Sequence, residues 1–172
     1  MTAAAKLKVN AGHEPGTDLG PMISADAKLR TLKILDTVAS EGGALALDGR
    51  GIKVDAYPKG NFVGPTIITG VSSEMTCYKE EIFGPVLTVQ TFRTIDEVLQ
   101  KANNSPYGLA AGVWTDKGAR IFGLSSQLQA GVVWANTYNK FDPASPFGGY
   151  KESGFGREGG LHGLSAYLKF IN

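Results

Sequence analysis

Lys79-Glu80-Glu81-Ile82-Phe83-Gly84-Pro85 runs straight into Val86-Leu87-Thr88-Val89: three charges, an aromatic ring, a Gly-Pro turn pair and then an apolar, β-branched run. Two readings fit these residues. In the first, a charged turn leads into a buried strand, a common arrangement. In the second, Glu81 and Phe83, two residues apart and pinned by Gly84 and Pro85, form a ligand clamp. A carboxylate offers two oxygens that can accept both hydroxyls of a ribose, and the ring can pack against a flat heterocycle. Spacing alone leaves both open.

Working outward, Val86 to Phe92 has strand composition. Thr94-Ile95-Asp96-Glu97 is a capping box that opens a helix through Ala102. Leu109 to Trp114 reads as the next strand, Asp116 as the cap of the next helix, and Val132 to Ala135 as a third strand. Strand, helix, strand, helix, strand in so short a stretch implies a parallel sheet with crossover helices. Upstream, residues 10 to 22 read as an extended loop. Ser24 caps a helix with Asp26 near its positive end, and Leu29, Leu32, Leu35 and Ala39 give that helix one apolar stripe. Gly42-Gly43 stops it. Ala44 to Leu47 is a short strand, the stretch to Gly60 a surface excursion, and Phe62 to Val71 is extended, with Pro65 marking an edge or a bulge. After Asn136 comes a loop rich in aromatics and glycine, then a last helix over Gly160 to Phe170. No linker, repeat or low-complexity tract divides the chain, so residues 1–172 read as one domain.

The 172 residues are enough for a real core, and 42% hydrophobic with 19% charged residues is an ordinary soluble composition. A net charge of +1 gives no electrostatic footprint for nucleic acid or an anionic membrane. No apolar run approaches the ~20 residues that span a bilayer. Cys77 stands alone, so no internal disulfide forms, which fits a reducing compartment. Met1-Thr2-Ala3-Ala4-Ala5 has neither the apolar core of a signal peptide nor the arginines of a transit peptide, so the expected location is the cytoplasm, with the mitochondrial matrix left open.

Four further blocks stand around the opening stretch: Gly64-Pro65-Thr66-Ile67, Asn103-Asn104-Ser105-Pro106-Tyr107-Gly108-Leu109, Asn136, and Ser145-Pro146-Phe147-Gly148-Gly149-Tyr150-Lys151-Glu152-Ser153-Gly154-Phe155-Gly156-Arg157-Glu158. Their order and spacing, with Lys-Glu-Glu-Ile-Phe-Gly-Pro-Val, resemble the late part of an aldehyde dehydrogenase over about Val9 to Tyr167. The first half is similar to the CoA-acylating methylmalonate-semialdehyde branch, in Val9-Asn10-Ala11-Gly12, Asp18-Leu19-Gly20-Pro21, Asn61 to Ile68 and Met75-Thr76-Cys77-Tyr78. The region after Asn103 is similar to the general, acid-forming branch. The resemblance implies an α/β fold: a parallel sheet with mixed edges and helices on both faces, resembling the catalytic domain of that family and incomplete. It gives Glu81 and Phe83 to the nicotinamide ribose and ring of NAD or NADP, Phe141 and Phe147 to the wall of the aldehyde tunnel, and makes Glu158 a candidate proton relay beside the active-site base. CoA is a further candidate cofactor.

Other features have plainer readings. Cys77, between Thr76 and Tyr78, lacks small neighbours and any local cation other than Lys79, so a packed, inert thiol is expected rather than a nucleophile. The family's nucleophile sits upstream in a Gly-Gln-x-Cys setting that these residues do not contain. Gly154-Phe155-Gly156-Arg157-Glu158-Gly159 matches the dinucleotide fingerprint in letters, but no strand is expected before it and no acidic residue stands ~20 positions later. Against the relay, Glu158 reads as half of a surface ion pair with Arg157. His13 and His162 lack companions at ligand spacing, so no metal is expected. Asn103-Asn104-Ser105 is formally a glycosylation acceptor, with nothing else to suggest secretion.

The expected function is therefore a part of an NAD(P)-dependent aldehyde dehydrogenase that oxidises an aldehyde to an acid or a CoA thioester. Its partners are a small aldehyde and other subunits of a homo-oligomer, with no nucleic acid or membrane. With no catalytic residue assigned, the chain alone is expected to be inactive. The alternative is a non-catalytic module that associates with full-length subunits. In the family a further strand pairs with a neighbouring subunit, and Lys169 stands near where a glutamate often begins it.

Overall fold

Ser24 opens the first long helix as its sequence requires: the Oγ accepts from the Ala27 N–H at 3.1 Å, and α1 runs Ala25–Thr37 with Asp26 in its first turn. The buried face differs from the expected leucine stripe. Thr31, Ile34, Leu35 and Val38 are buried, Leu32 is half-buried, and Leu29 and Ala39 are exposed. The core takes the i, i+3, i+4, i+7 row that starts at Thr31. Thr31 can be buried because its hydroxyl donates to the Ile82 carbonyl at 3.5 Å.

The computed structural model describes residues 1–169 and divides into two compact units, one ending at Thr91 and one beginning at Phe92. In the first, the chain turns after α1 through bonds from Glu41 N–H to Thr37 O (3.0 Å) and Gly43 N–H to Val38 O (2.8 Å). It then enters β1, Ala44–Leu47. The central strand β2, Thr66–Thr69, pairs antiparallel with β1, with an irregularity between Leu45 and Leu47, and parallel with β3, Val86–Thr88. A short helix, α2, spans Thr76–Lys79. Ile34, Leu35, Val38, Ile68, Met75 and Cys77 form the core, with Leu45, Val71, Ile82 and Val86 packed against it. The extended stretches at Phe62 and Val86 give strands shorter than expected. Pro65 has no N–H to donate, and the Gly64 N–H bonds the Gly49 carbonyl at 2.9 Å, so the backbone before Thr66 is tied to a loop instead of a ladder.

The second unit begins with α3, Ile95–Asn103. Its capping box forms: Thr94 Oγ1 accepts from Glu97 N–H (3.1 Å), and Glu97 Oε2 accepts from Arg93 N–H (2.8 Å). The strand expected over Leu109 to Trp114 is β5, Ala110–Val113, and a short strand that was not expected, β4, Tyr107–Gly108, precedes it. Helix α4 spans Gly118–Ser125; its N-cap is Lys117 rather than Asp116, and Thr115 Oγ1 accepts the Lys117 N–H at 3.2 Å. β6, Val132–Ala135, runs parallel to β5 with Ala110 opposite Val132 and Val113 opposite Ala135, as a strand–helix–strand unit demands. β7, Tyr150–Lys151, pairs antiparallel with β4. The last helix, α5, covers Gly160–Ser165; Phe170, where its end was expected, lies outside the described residues. The α/β class with parallel and antiparallel pairing holds. The parallel pairs sit in separate sheets, β3 with β2 and β5 with β6, instead of following one another in a single run.

Candidate functional site

In the first unit, the segment after α2 is set from both ends. The Glu41 carboxylate accepts the Thr76 N–H (2.8 Å) and the Thr76 hydroxyl (2.5 Å), which fixes the start of α2. Those bonds hold the Glu41 pKa below its ordinary value. At Glu80 the chain leaves the helix and becomes extended (φ −94°, ψ 138°). Ile82 packs onto the core, while Glu81 and Phe83 are exposed, Phe83 by 77%. Phe83 adopts φ +58°, a left-handed conformation uncommon for a bulky residue. Gly84 explains it in part: a Cβ there would lie 3.1 and 3.2 Å from the Thr31 side chain, so the backbone is pressed onto α1 just after the ring turns out. Helix α1 also reaches across: Arg30 donates to Glu80 Oε2 (3.2 Å) and to Ile82 O (3.4 Å). Among the described residues the exposed Glu81 carboxylate has no partner, and the outward ring of Phe83 stands two residues away.

Cys77 belongs to the core of this unit at 4% exposure, and burial together with the Glu41 charge pushes its thiol pKa up. Both effects oppose a thiolate.

In the second unit, Phe141 and Phe147 meet edge to face with centroids 5.0 Å apart. They are the end of a longer aromatic row. Phe141 contacts Trp134 (5.6 Å), Trp134 contacts Tyr138 (4.7 Å), and Tyr138 stacks on Trp114 (6.1 Å). The Trp134 indole N–H donates to Lys140 O at 2.8 Å and so closes the loop that carries Phe141. Reading the sequence missed Trp134 and Tyr138; their four-residue spacing around Asn136 was the available signal. Asn136 takes φ +53° and its amide both accepts from Thr115 N–H (2.9 Å) and donates to Thr115 O (3.0 Å), extending the β5–β6 pair by one side chain. Its role is thus to turn the chain out of β6 towards the aromatic loop.

Glu158 lies against Phe147 through its backbone, the two residues exchanging N–H···O bonds of 2.7 and 2.8 Å. Its carboxylate is exposed, and no ion pair with Arg157 is present among the described residues. Arg157 turns instead to the carbonyls of Gly149 (2.8 Å) and Gly156 (2.9 Å) and lies over the Tyr150 ring. Gly148 permits this crossing, since a Cβ there would fall 2.0 Å from Gly156 O. The Gly154–Gly159 run does follow a strand, β7, contrary to expectation, and α5 comes after it. β7 is antiparallel to β4, however, so no βαβ unit forms and the run is not a dinucleotide loop. Both Asn103 amide atoms are engaged, with Gln127 O and Gln129 N–H. Among the described residues no group of three His, Cys, Asp or Glu could hold a metal, and no helix is long and apolar enough to cross a membrane.

The family model for the aldehyde dehydrogenase family matches residues 1–171. DhaS of Bacillus subtilis, which is named as an aldehyde dehydrogenase, is 47% identical over 96% of this chain and 33% of its own. The human methylmalonate-semialdehyde/malonate-semialdehyde dehydrogenase, named acylating and mitochondrial, is 50% identical over 77% of this chain and 25% of its own. Among solved structures, the NAD+ complex of an aldehyde dehydrogenase from Bacillus cereus superposes with a TM-score of 0.89 at 43% identity, over 98% of this chain and 33% of that one. The chain therefore spans about a third or less of the length of these relatives.

Proposed function

The chain belongs to the aldehyde dehydrogenase family, and on that premise we propose that it forms the C-terminal part of one catalytic domain in an NAD(P)-dependent enzyme. That enzyme oxidises an aldehyde to its acid or to a CoA thioester, in the cytoplasm or the mitochondrial matrix, as a homo-oligomer. Glu81 and Phe83 hold the nicotinamide ribose and ring of NAD or NADP. Phe141 and Phe147 wall the path of the aldehyde, and Glu158 stands as a proton relay. Bound there, the dinucleotide supplies a hydride acceptor. The part played by these residues is placement: a carboxylate accepts two vicinal hydroxyls, an exposed ring packs on a flat one, and an apolar aromatic wall receives an aldehyde's tail.

One observation carries the reading. Phe83 holds a left-handed backbone and keeps its ring in solvent beside a carboxylate with no partner of its own among the described residues. An exposed phenylalanine in an uncommon conformation costs free energy that a mere turn into β3 has no need of.

The test is a chimera in which these 172 residues replace the corresponding third of the B. cereus enzyme. NAD-dependent aldehyde oxidation is expected in the chimera and absent in the 172 residues alone. Glu81→Gln in the chimera should weaken cofactor binding by ~1 kcal/mol, roughly fivefold, because the charged acceptor is lost. Unchanged cofactor affinity would remove Glu81 from the site.

A further inference from the structure

We propose that Arg30 is the positioning residue of the clamp: it takes Glu80 as its partner and thereby leaves Glu81 as the free carboxylate beside Phe83. The proposal rests on the reading of Glu81 and Phe83 given above. Glu80 and Glu81 are chemically identical neighbours, and something must decide which of them faces a ligand. Ile82 packs onto the core while Glu81 and Phe83 on either side of it are exposed. The Arg30 guanidinium grips this segment at two points, Glu80 Oε2 (3.2 Å) and the Ile82 backbone carbonyl (3.4 Å). Two fixed points two residues apart prevent the segment from rotating about its axis.

Thr31, fully buried one residue further along α1, adds a third point through its bond to Ile82 O. Gly84 closes against the same threonine. With the Ile82 backbone held in this way, Glu81 and Phe83 stay exposed on either side of it. Nothing in the chain competes for the Glu81 oxygens among the described residues, whereas the Glu80 carboxylate is already paired. A guanidinium suits the task because its planar fork serves a carboxylate and a carbonyl together; a lysine ammonium is a point charge on a flexible stem.

Native-state proteolysis of the chimera with a glutamate-specific protease tests this, with cleavage after each glutamate followed by mass spectrometry. In R30A and in R30K, cleavage after Glu80 and Glu81 should accelerate on the order of tenfold, as a held segment becomes free to open locally. Cleavage after Glu14 and Glu41, in the same unit, should keep its wild-type rate. Three results would overturn the proposal: no change at Glu80 and Glu81; equal acceleration at all four sites, which makes Arg30 a support of the fold at large; or wild-type protection in R30K, which makes the fork unnecessary. The cofactor reading is judged separately. If proteolysis behaves as expected while Glu81→Gln leaves cofactor affinity in the chimera unchanged, the positioning by Arg30 stands and the role of the clamp falls.

Discussion

Glu41 shows how a single carboxylate sets the local architecture. It lies between α1 and β1, yet it takes two donors of Thr76, thirty-five residues away, and so holds the start of the helix that leads to Glu81 and Phe83. Its pKa in the folded chain is lowered chiefly by the bond from the Thr76 hydroxyl, then by that from the Thr76 N–H. A group depressed in this way contributes stability above the ordinary carboxylate pKa, near ~4.3, and loses that contribution as the pH falls through the lower, folded value. Glu41→Gln should therefore melt below wild type at neutral pH, and the gap should close in the acid range, below about pH 4. Thermal melts of both proteins across that range check it; a gap that stays constant with pH would mean that the charge contributes nothing. Because the variant is compared with wild type, the other carboxylates with lowered pKa, Asp48, Glu74 and Glu97, cancel in the difference.

At the scale of elements, the reliable pieces are those closed by short-range bonds. Helix α3 has its capping box at one end, the i,i+4 pair of Glu97 with Lys101 at 2.7 Å along its side, and at the other end Lys151, whose ammonium donates to the carbonyls of Asn103 (2.8 Å) and Ser105 (2.9 Å). Thr94→Ala removes the acceptor for the Glu97 N–H and should lower stability by ~1 kcal/mol, within the usual range for an N-cap. Urea denaturation followed by circular dichroism measures it; a loss well under half that size would show that the Glu97 bond to Arg93 N–H suffices by itself. Strand β5 is likewise fixed at its end by the Asn136 side chain, which pairs with both backbone groups of Thr115 as another strand residue would.

Across the whole chain, much apolar surface lies open. Leu29, Phe92, Trp114, Phe122, Phe155, Leu161 and Tyr167 are each more than half exposed. An apolar hollow of about 330 Å³ opens among Phe92, Ile95, Leu99, Val113, Trp114 and Leu124 in the second unit. Large side chains exposed in such numbers drive association. The 172-residue chain should therefore sediment as oligomers or aggregates at micromolar concentration. A monomer that melts cooperatively in analytical ultracentrifugation and calorimetry would contradict this, and would favour the alternative of an independent binding module.

The local signals in the sequence determined the elements and their stops: Ser24 and Thr94 cap the helices they were expected to cap, β1 and β6 occupy the residues read as strands, and a parallel pair joins β5 to β6 across α4. The sequence also singled out Glu81, Phe83, Phe141 and Phe147 through the family resemblance, and their roles stand as proposed. Capping bonds and alternation act within four residues, so they can be read from a short window. What the tertiary structure alone decided involves partners far apart in the chain. Thr31 could take the core position expected of a leucine only because Ile82 O, fifty-one residues away, accepts its hydroxyl. Glu80 and Glu81 became different residues only when Arg30 arrived beside one of them from α1. Trp134 came to brace the loop of Phe141 only when that loop folded back to bring Lys140 O to its indole N–H. Such choices depend on which surfaces meet when the chain closes on itself, and no short window of sequence contains both partners.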